Sequence, residues 1–128
     1  MKDKFIVTAA ITGAIHTPTM SPYLPITSDE IVEEAGRASD AGAAVVHIHA
    51  RDPEEGKPFG TPEMFAELLP RIKTRSSAVI CTTTGGALGQ TAEQRVAVVK
   101  RFSPELASLN AGSMNFAIFP ALDKIKEF

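Results

Sequence analysis

The order of apolar runs and amphipathic segments limits this chain to a small set of folds. Four short, partly β-branched runs have the pattern of buried strands, and they cover residues 5–12, 43–49, 78–83 and 106–110. Helical segments are expected to begin near residues 27, 61 and 91, and a last one over 119–128. This β-α-β-α-β-α-β-(α) order predicts parallel strands joined by right-handed crossovers.

The loop after the first strand decides between two parallel architectures. A doubly wound sheet normally carries a glycine-rich phosphate turn there, whereas here Gly13 leads into a loop with three prolines over 15–25. The predicted fold class is therefore α/β, with parallel (β/α) units forming the first half of a TIM (β/α)8 barrel. A whole barrel needs about 250 residues, so we expect residues 1–128 to be one domain, a truncated N-terminal half.

The helical segments are expected to bury one face each. Thr27 or Ser28 should cap the first helix, and Thr61 should cap the second with Pro62 at its first position. The residues expected to face the core are Ile31, Ala35, Ala38 and Gly42, then Met64, Phe65, Leu68, Leu69 and Ile72, then Val96, Val98 and Val99.

Composition excludes several classes of protein. The formal net charge is −2, with no basic field for nucleic acid. Cys81 is the one cysteine, so an internal disulfide is impossible and a reducing compartment is expected. No apolar run reaches the roughly 18 residues that a membrane helix needs, and no signal peptide is recognisable. We expect a soluble, cytoplasmic protein.

Two histidines with one residue between them are the strongest candidate for a chemical site. His47 and His49 lie at the end of the second predicted strand, where they should project from the same face. Neutral imidazole binds zinc well, and α/β proteins carry their chemistry at the carboxyl ends of strands. A metal or catalytic role is favoured over two ordinary buried histidines. His16, in the first loop, is interpreted as an exposed histidine.

Other polar residues near the strand ends allow more than one interpretation. Arg51 could bind a substrate carboxylate or pair with Asp52 in a local turn. Gly85 and Gly86 follow three threonines, and their backbone N–H groups could bind an anion. The alternative is an ordinary strand end and its turn.

The fourth predicted strand also carries polar side chains. Ser108 and Asn110 should share a face of an otherwise apolar segment, which suggests a site, although turn capping is the alternative. Cys81 is interpreted as a small core residue with nothing electropositive beside it.

Several motifs together resemble one family, the β-keto acid cleavage enzymes, which include the 3-keto-5-aminohexanoate cleavage enzyme. They are AAITGA (9–14), LPIT (24–27), HIHARDP (47–53), TTGG (83–86) and SLNAGSMNF (108–116). The resemblance extends from the first strand to about residue 120. It implies a zinc-dependent (β/α)8 barrel that converts a 3-keto acid and acetyl-CoA to acetoacetate and a new acyl-CoA.

The resemblance also implies roles for single residues. His47 and His49 match two zinc ligands, Thr83 matches a hydroxyl residue near the substrate carboxylate, and Ser108 and Asn110 match residues that help to hold the substrate. Ile15 replaces an acidic residue of the family, which argues against an amino-bearing substrate. A third zinc ligand (a Glu), a catalytic Asp and an Arg would lie beyond residue 128.

Two alternatives stay open on the sequence. One is a catalytically silent half-barrel that assembles with itself or binds a small acid, since its first and last strands would expose unpaired edges. The other is a different barrel metalloenzyme, such as an aldolase or a hydrolase. The family resemblance implies a homo-oligomer, commonly a tetramer.

Overall fold

A computed structural model describes residues 4–87 and 90–110 of the chain. Its elements alternate strictly along the sequence. They are β1 (Thr8–Ala10), α1 (Ser28–Asp40), β2 (Val45–Ile48), α2 (Pro62–Arg75), β3 (Val79–Thr82), α3 (Ala92–Phe102) and β4 (Leu106–Ala107). The predicted helix over 119–128 and residues 111–116 of the last motif lie outside the described residues.

Threonine side chains fix where the helices begin. Thr27 accepts a hydrogen bond from the Glu30 N–H, and the Glu30 carboxylate accepts from the Thr27 N–H, which is a capping box. Thr61 caps α2 with Pro62 in the first turn, as predicted. A second capping box, at Thr91, begins α3.

The four described strands form one parallel sheet in the order β1-β2-β3-β4. Every strand thus lies beside its neighbour in sequence, and all four carboxyl ends meet at one edge of the sheet. The register pairs Ala10 with His47 and His47 with Cys81. The predicted parallel (β/α) arrangement is confirmed.

One face of the sheet packs against the helices and forms the core. The core residues on strands β2 and β3 include Val46, Ile48 and Ile80. The helices contribute Ile31, Val32 and Ala35 from α1, Phe65, Leu68 and Ile72 from α2, and Val98 from α3. The predicted helical stripes are confirmed for these positions except Val32, which was not predicted, and Ala38, Met64 and Leu69 are partly buried against the core. Val96 and Val99 are also only partly buried.

Two details of the sequence prediction are wrong. The first strand begins at Thr8 and is not buried on both faces, since Phe5, Ile6 and Val7 are 88%, 78% and 56% exposed. In the described sheet β1 pairs only with β2. Gly42 lies outside the core because α1 ends before it, and its φ of 103° suits a glycine turn.

The fourth strand is also shorter than predicted. It ends at Ala107, although the Ser108 N–H still donates to the Thr82 carbonyl. As the other edge of the described sheet, β4 has a partner on one side only. In the described part of the chain, no helix is long and apolar enough to cross a membrane.

Candidate metal and substrate site

The two predicted histidines lie together at the carboxyl end of β2. Because alternate residues of a strand share a face, both rings project away from the helices. The His47 Nε2 is 3.1 Å from the His49 Nε2, and the ring planes meet at 82°. The structure therefore aims one nitrogen of each ring at a shared point.

Burial keeps both rings uncharged. It lowers the pKa of His47 below its ordinary value of 6.5. Burial, with smaller contributions from His47 and Arg51, lowers the pKa of His49 from 6.5 to about 4. Near neutral pH both imidazoles are neutral, which is the form that binds a metal ion.

The distance between the two nitrogens suits zinc. Nitrogens bound tetrahedrally at about 2.0–2.1 Å from zinc lie roughly 3.3 Å apart. The observed 3.1 Å between the Nε2 atoms of His47 and His49 is close to this value. The pair therefore fits two corners of a tetrahedral site. Within residues 4–87 and 90–110, no group of three His, Cys, Asp or Glu side chains could hold a metal ion.

Cys81 lies beside His47, a contact that the sequence analysis did not predict. Strand pairing places it opposite His47, and its Sγ lies 3.4 Å from the His47 Nδ1. The interpretation of Cys81 as a small core residue is wrong, because it is half-buried on the histidine face. Burial raises the pKa of its thiol, so it stays protonated at neutral pH. Aligning the two predicted strands in parallel would have placed Cys81 opposite His47 and could have revealed the contact.

Thr12, a second residue that the sequence did not reveal, fixes the backbone of His49. Its hydroxyl donates to the His49 carbonyl and accepts from the His49 N–H, both at 2.9 Å. Thr12 is 2% exposed. It thus holds the end of β2 against the segment that follows β1.

The Arg51 guanidinium donates all of its observed hydrogen bonds to backbone carbonyls. Its Nη1 donates to His16 at 2.8 Å and to Gly56, and its Nη2 donates to Thr12 at 2.6 Å and to Gly13 at 3.1 Å. The side chain is 2% exposed. In this arrangement Arg51 ties the loop after β1 to the loop after β2, and its role in substrate binding stays a prediction.

The suggested pairing of Arg51 with Asp52 does not occur. The Asp52 carboxylate instead accepts hydrogen bonds from the N–H groups of Glu54 and Glu55, both at 2.8 Å. These bonds lower the pKa of Asp52 and shape the turn that follows. His16 is exposed, as the sequence predicted.

Thr83 and Gly85 border the histidine pair. The Thr83 N–H donates to the Ile48 carbonyl, which continues the pairing of β3 with β2 up to His49. A methyl group placed on Gly85 would lie 3.2 Å from the Thr83 Oγ1 and 4.0 Å from the His49 Cε1. The threonine hydroxyl, the glycine and the imidazole therefore surround one small space.

The glycine turn itself is held from α3. The Arg95 guanidinium donates to the carbonyls of Gly85 and Ala87 and, at 3.1 Å, to that of Gln90. The Gln90 side chain accepts from the Ala87 N–H at 2.6 Å. Gly86 has a φ of 61°, the left-handed region that glycine adopts without strain.

Ser108 and Asn110 differ in their surroundings. The Ser108 hydroxyl accepts from the Thr84 N–H at 2.9 Å, and the Thr84 hydroxyl donates to the Ser108 carbonyl at 2.8 Å. Ser108 therefore links the ends of β3 and β4. Asn110 is exposed and lies three residues beyond β4, so the two do not share a strand face as predicted. Their roles toward a substrate stay predictions.

Comparison with known proteins identifies the family. A model of the beta-keto acid cleavage enzyme family matches residues 4–127. The chain belongs to this family. The family resemblance drawn from the motifs is confirmed.

Two curated relatives of this member of the beta-keto acid cleavage enzyme family are named for their activities. A 3,5-dioxohexanoate:acetyl-CoA acetone transferase of Paraburkholderia graminis is 52% identical over 126 residues, 98% of this chain and 41% of its own. A 3-keto-5-aminohexanoate cleavage enzyme of Acetoanaerobium sticklandii is 44% identical over 115 residues, 89% of this chain and 41% of its own. The chain thus spans about two fifths of the length of these relatives.

Solved structures support the fold. The chain matches a ternary complex of ObcA with a C4-CoA adduct and oxalate at a TM-score of 0.63 and 30% identity. The match covers 73% of this chain and 24% of that one. Together with the four parallel (β/α) units, it confirms that this family member is part of a TIM barrel.

Proposed function

We propose that the protein is a metal-dependent β-keto acid cleavage enzyme that uses acetyl-CoA as its second substrate. The reaction would convert a 3-keto acid and acetyl-CoA to acetoacetate and a new acyl-CoA. The observation that carries the proposal is the pair of neutral imidazoles whose Nε2 atoms lie 3.1 Å apart at the strand ends. The named activities of the relatives support the same reaction class.

His47 and His49 would hold the metal, which we propose to be zinc. When bound, the ion would supply Lewis-acid stabilisation of the negative charge that develops on the keto acid oxygens. The protein's own contribution is to keep both imidazoles neutral by burial and to fix the backbone of His49 through Thr12. A third ligand, a Glu, would come from beyond residue 128.

Thr83 would orient the substrate beside the metal ligands. Its Oγ1 accepts the Gly85 N–H at 2.9 Å, so the hydroxyl proton is available to donate to a substrate carboxylate. Gly85 leaves the space next to the His49 ring open, since a methyl group there would fill it. Ser108 and Asn110, on the neighbouring strand end, would complete the substrate pocket, and Gly86 would shape its turn.

The first loop favours a keto acid without a cationic side chain. Ile15 is apolar and 55% exposed, and the carbonyls on both sides of it are anchored by Arg51. An apolar residue there offers no carboxylate to an ammonium group. The dioxohexanoate in the name of the relative with 52% identity is likewise uncharged apart from its carboxylate.

The test is a substrate screen on the protein at its natural length. Zinc-loaded protein is incubated with acetyl-CoA and a panel of neutral and amino-bearing 3-keto acids, and acetoacetate and acyl-CoA are measured by mass spectrometry. We expect turnover of neutral substrates. Absence of acyl exchange across the panel in zinc-loaded, folded protein would refute the proposal.

Matched variants separate the site from the rest of the chain. His47→Ala should lose both zinc and turnover, because only one of the paired imidazoles remains. His16→Ala removes an exposed histidine and should retain zinc at the level of the unchanged protein. Equal zinc content in both variants would contradict the assignment of the metal site.

A second candidate is a catalytically silent assembly. Its support is the exposure of Phe5 and Ile6 before β1 and of Leu109 after β4, which are the two edge strands of the described sheet, since unpaired apolar edges favour association. It predicts an oligomer that binds a small acid without turnover. The active enzyme is also proposed to be a homo-oligomer. The substrate screen therefore distinguishes the active enzyme from the silent assembly, whereas the oligomeric state does not.

A further inference from the structure

The neighbour of His47 on β3 has no role in the function proposed above. Cys81 and His47 are paired residues of adjacent parallel strands, and both side chains project from the histidine face. The Cys81 Sγ lies 3.4 Å from the His47 Nδ1, within the range of a sulfur hydrogen bond. Each nitrogen of the His47 ring therefore has a distinct partner, Cys81 on one side and His49 on the other.

The direction of the hydrogen bond decides which nitrogen can bind a metal. Neutral imidazole carries one proton, on Nδ1 or on Nε2. A metal ion at Nε2, the atom that lies 3.1 Å from the His49 Nε2, requires the tautomer with the proton on Nδ1. In that tautomer the Nδ1–H faces the Cys81 Sγ at 3.4 Å, which is then its acceptor.

We propose that the Cys81 thiol is a positioning residue that holds the Nδ1–H of His47 and thereby presents Nε2 to the metal. Metal-binding histidines generally donate their other ring N–H to a fixed acceptor, which sets both tautomer and ring orientation. Here the acceptor is unusual, because a neutral thiol replaces the customary carboxylate. The inference rests on the metal site proposed above.

Three variants of the protein at its natural length isolate the thiol. Cys81→Ala removes the sulfur, and Cys81→Ser restores a short acceptor. Val79→Ala is the matched control, because Val79 precedes Cys81 by two residues on the same strand and face. Zinc affinity is measured by competition with a chromophoric chelator, and the His47 tautomer by ¹⁵N NMR of zinc-free protein.

We expect Cys81→Ala to weaken zinc binding by roughly tenfold or more and to lower the Nδ1–H population of His47. Cys81→Ser should recover most of both, and Val79→Ala should change neither. Unchanged affinity and tautomer in Cys81→Ala would overturn the inference, as would equal weakening in Val79→Ala. If the unchanged protein binds no zinc, the proposed function fails instead, while the tautomer still tests the contact.

Discussion

Replacing Arg51 by Met tests whether this arginine holds the two site loops together. The structure gives it four hydrogen bonds to backbone carbonyls at 2% exposure. A hydrogen bond from a charged donor contributes about 1.5–3 kcal/mol, so four would sum to roughly 6–12 kcal/mol. Arg51→Met also removes a buried charge, and the desolvation penalty of several kcal/mol that this relieves offsets part of the loss. The net loss in the free energy of unfolding should therefore be about 2–4 kcal/mol.

The assay is urea denaturation of the protein at its natural length, followed by circular dichroism. Arg37→Met is the control, because the Arg37 side chain is 72% exposed and pairs only with Glu34 among the described ion pairs. That substitution should cost less than about 0.5 kcal/mol. If Arg51→Met were as mild as the control while substrate binding collapsed, Arg51 would be a substrate ligand, and the structural argument would be refuted.

Three further predictions concern the site and the helix ends. Because the folded protein keeps His49 neutral down to about pH 4 while an unfolded histidine protonates near 6.5, zinc-free protein should lose stability as pH falls through this window. By pH 5 the loss from His49 should reach about 2 kcal/mol, and His49→Gln should remove that part in urea titrations and leave only the contribution of His47. Gly86→Ala should destabilise the folded protein by about 1–2 kcal/mol more than Gly85→Ala, because of the two only Gly86 has a positive φ and its new methyl group would meet Gln90. Equal melting temperatures of the two variants would contradict this. Thr27→Ala should cost about 1 kcal/mol through loss of the helix cap, and an unchanged urea midpoint would argue against the cap.

The predictable part of the candidate site is local. His47 and His49 share a face because a strand alternates its side chains, and this holds for any strand, wherever it lies in the fold. The capping threonines are equally local, since Thr27 and Glu30 are three residues apart. Where the expectation needed the neighbouring strand, as for Cys81, it was wrong.

The sequence alone determined the order of the elements, the face of each helix and the histidine pair, because these depend on periodicities within one segment. Tertiary structure decided the long-range partners of Arg51, Thr12 and Cys81, which lie 34 to 39 residues away along the chain. Such contacts depend on strand register and loop path, which a single segment does not encode. It likewise decided that Phe5, Ile6 and Val7 are exposed, since an apolar run is buried only when other elements cover it.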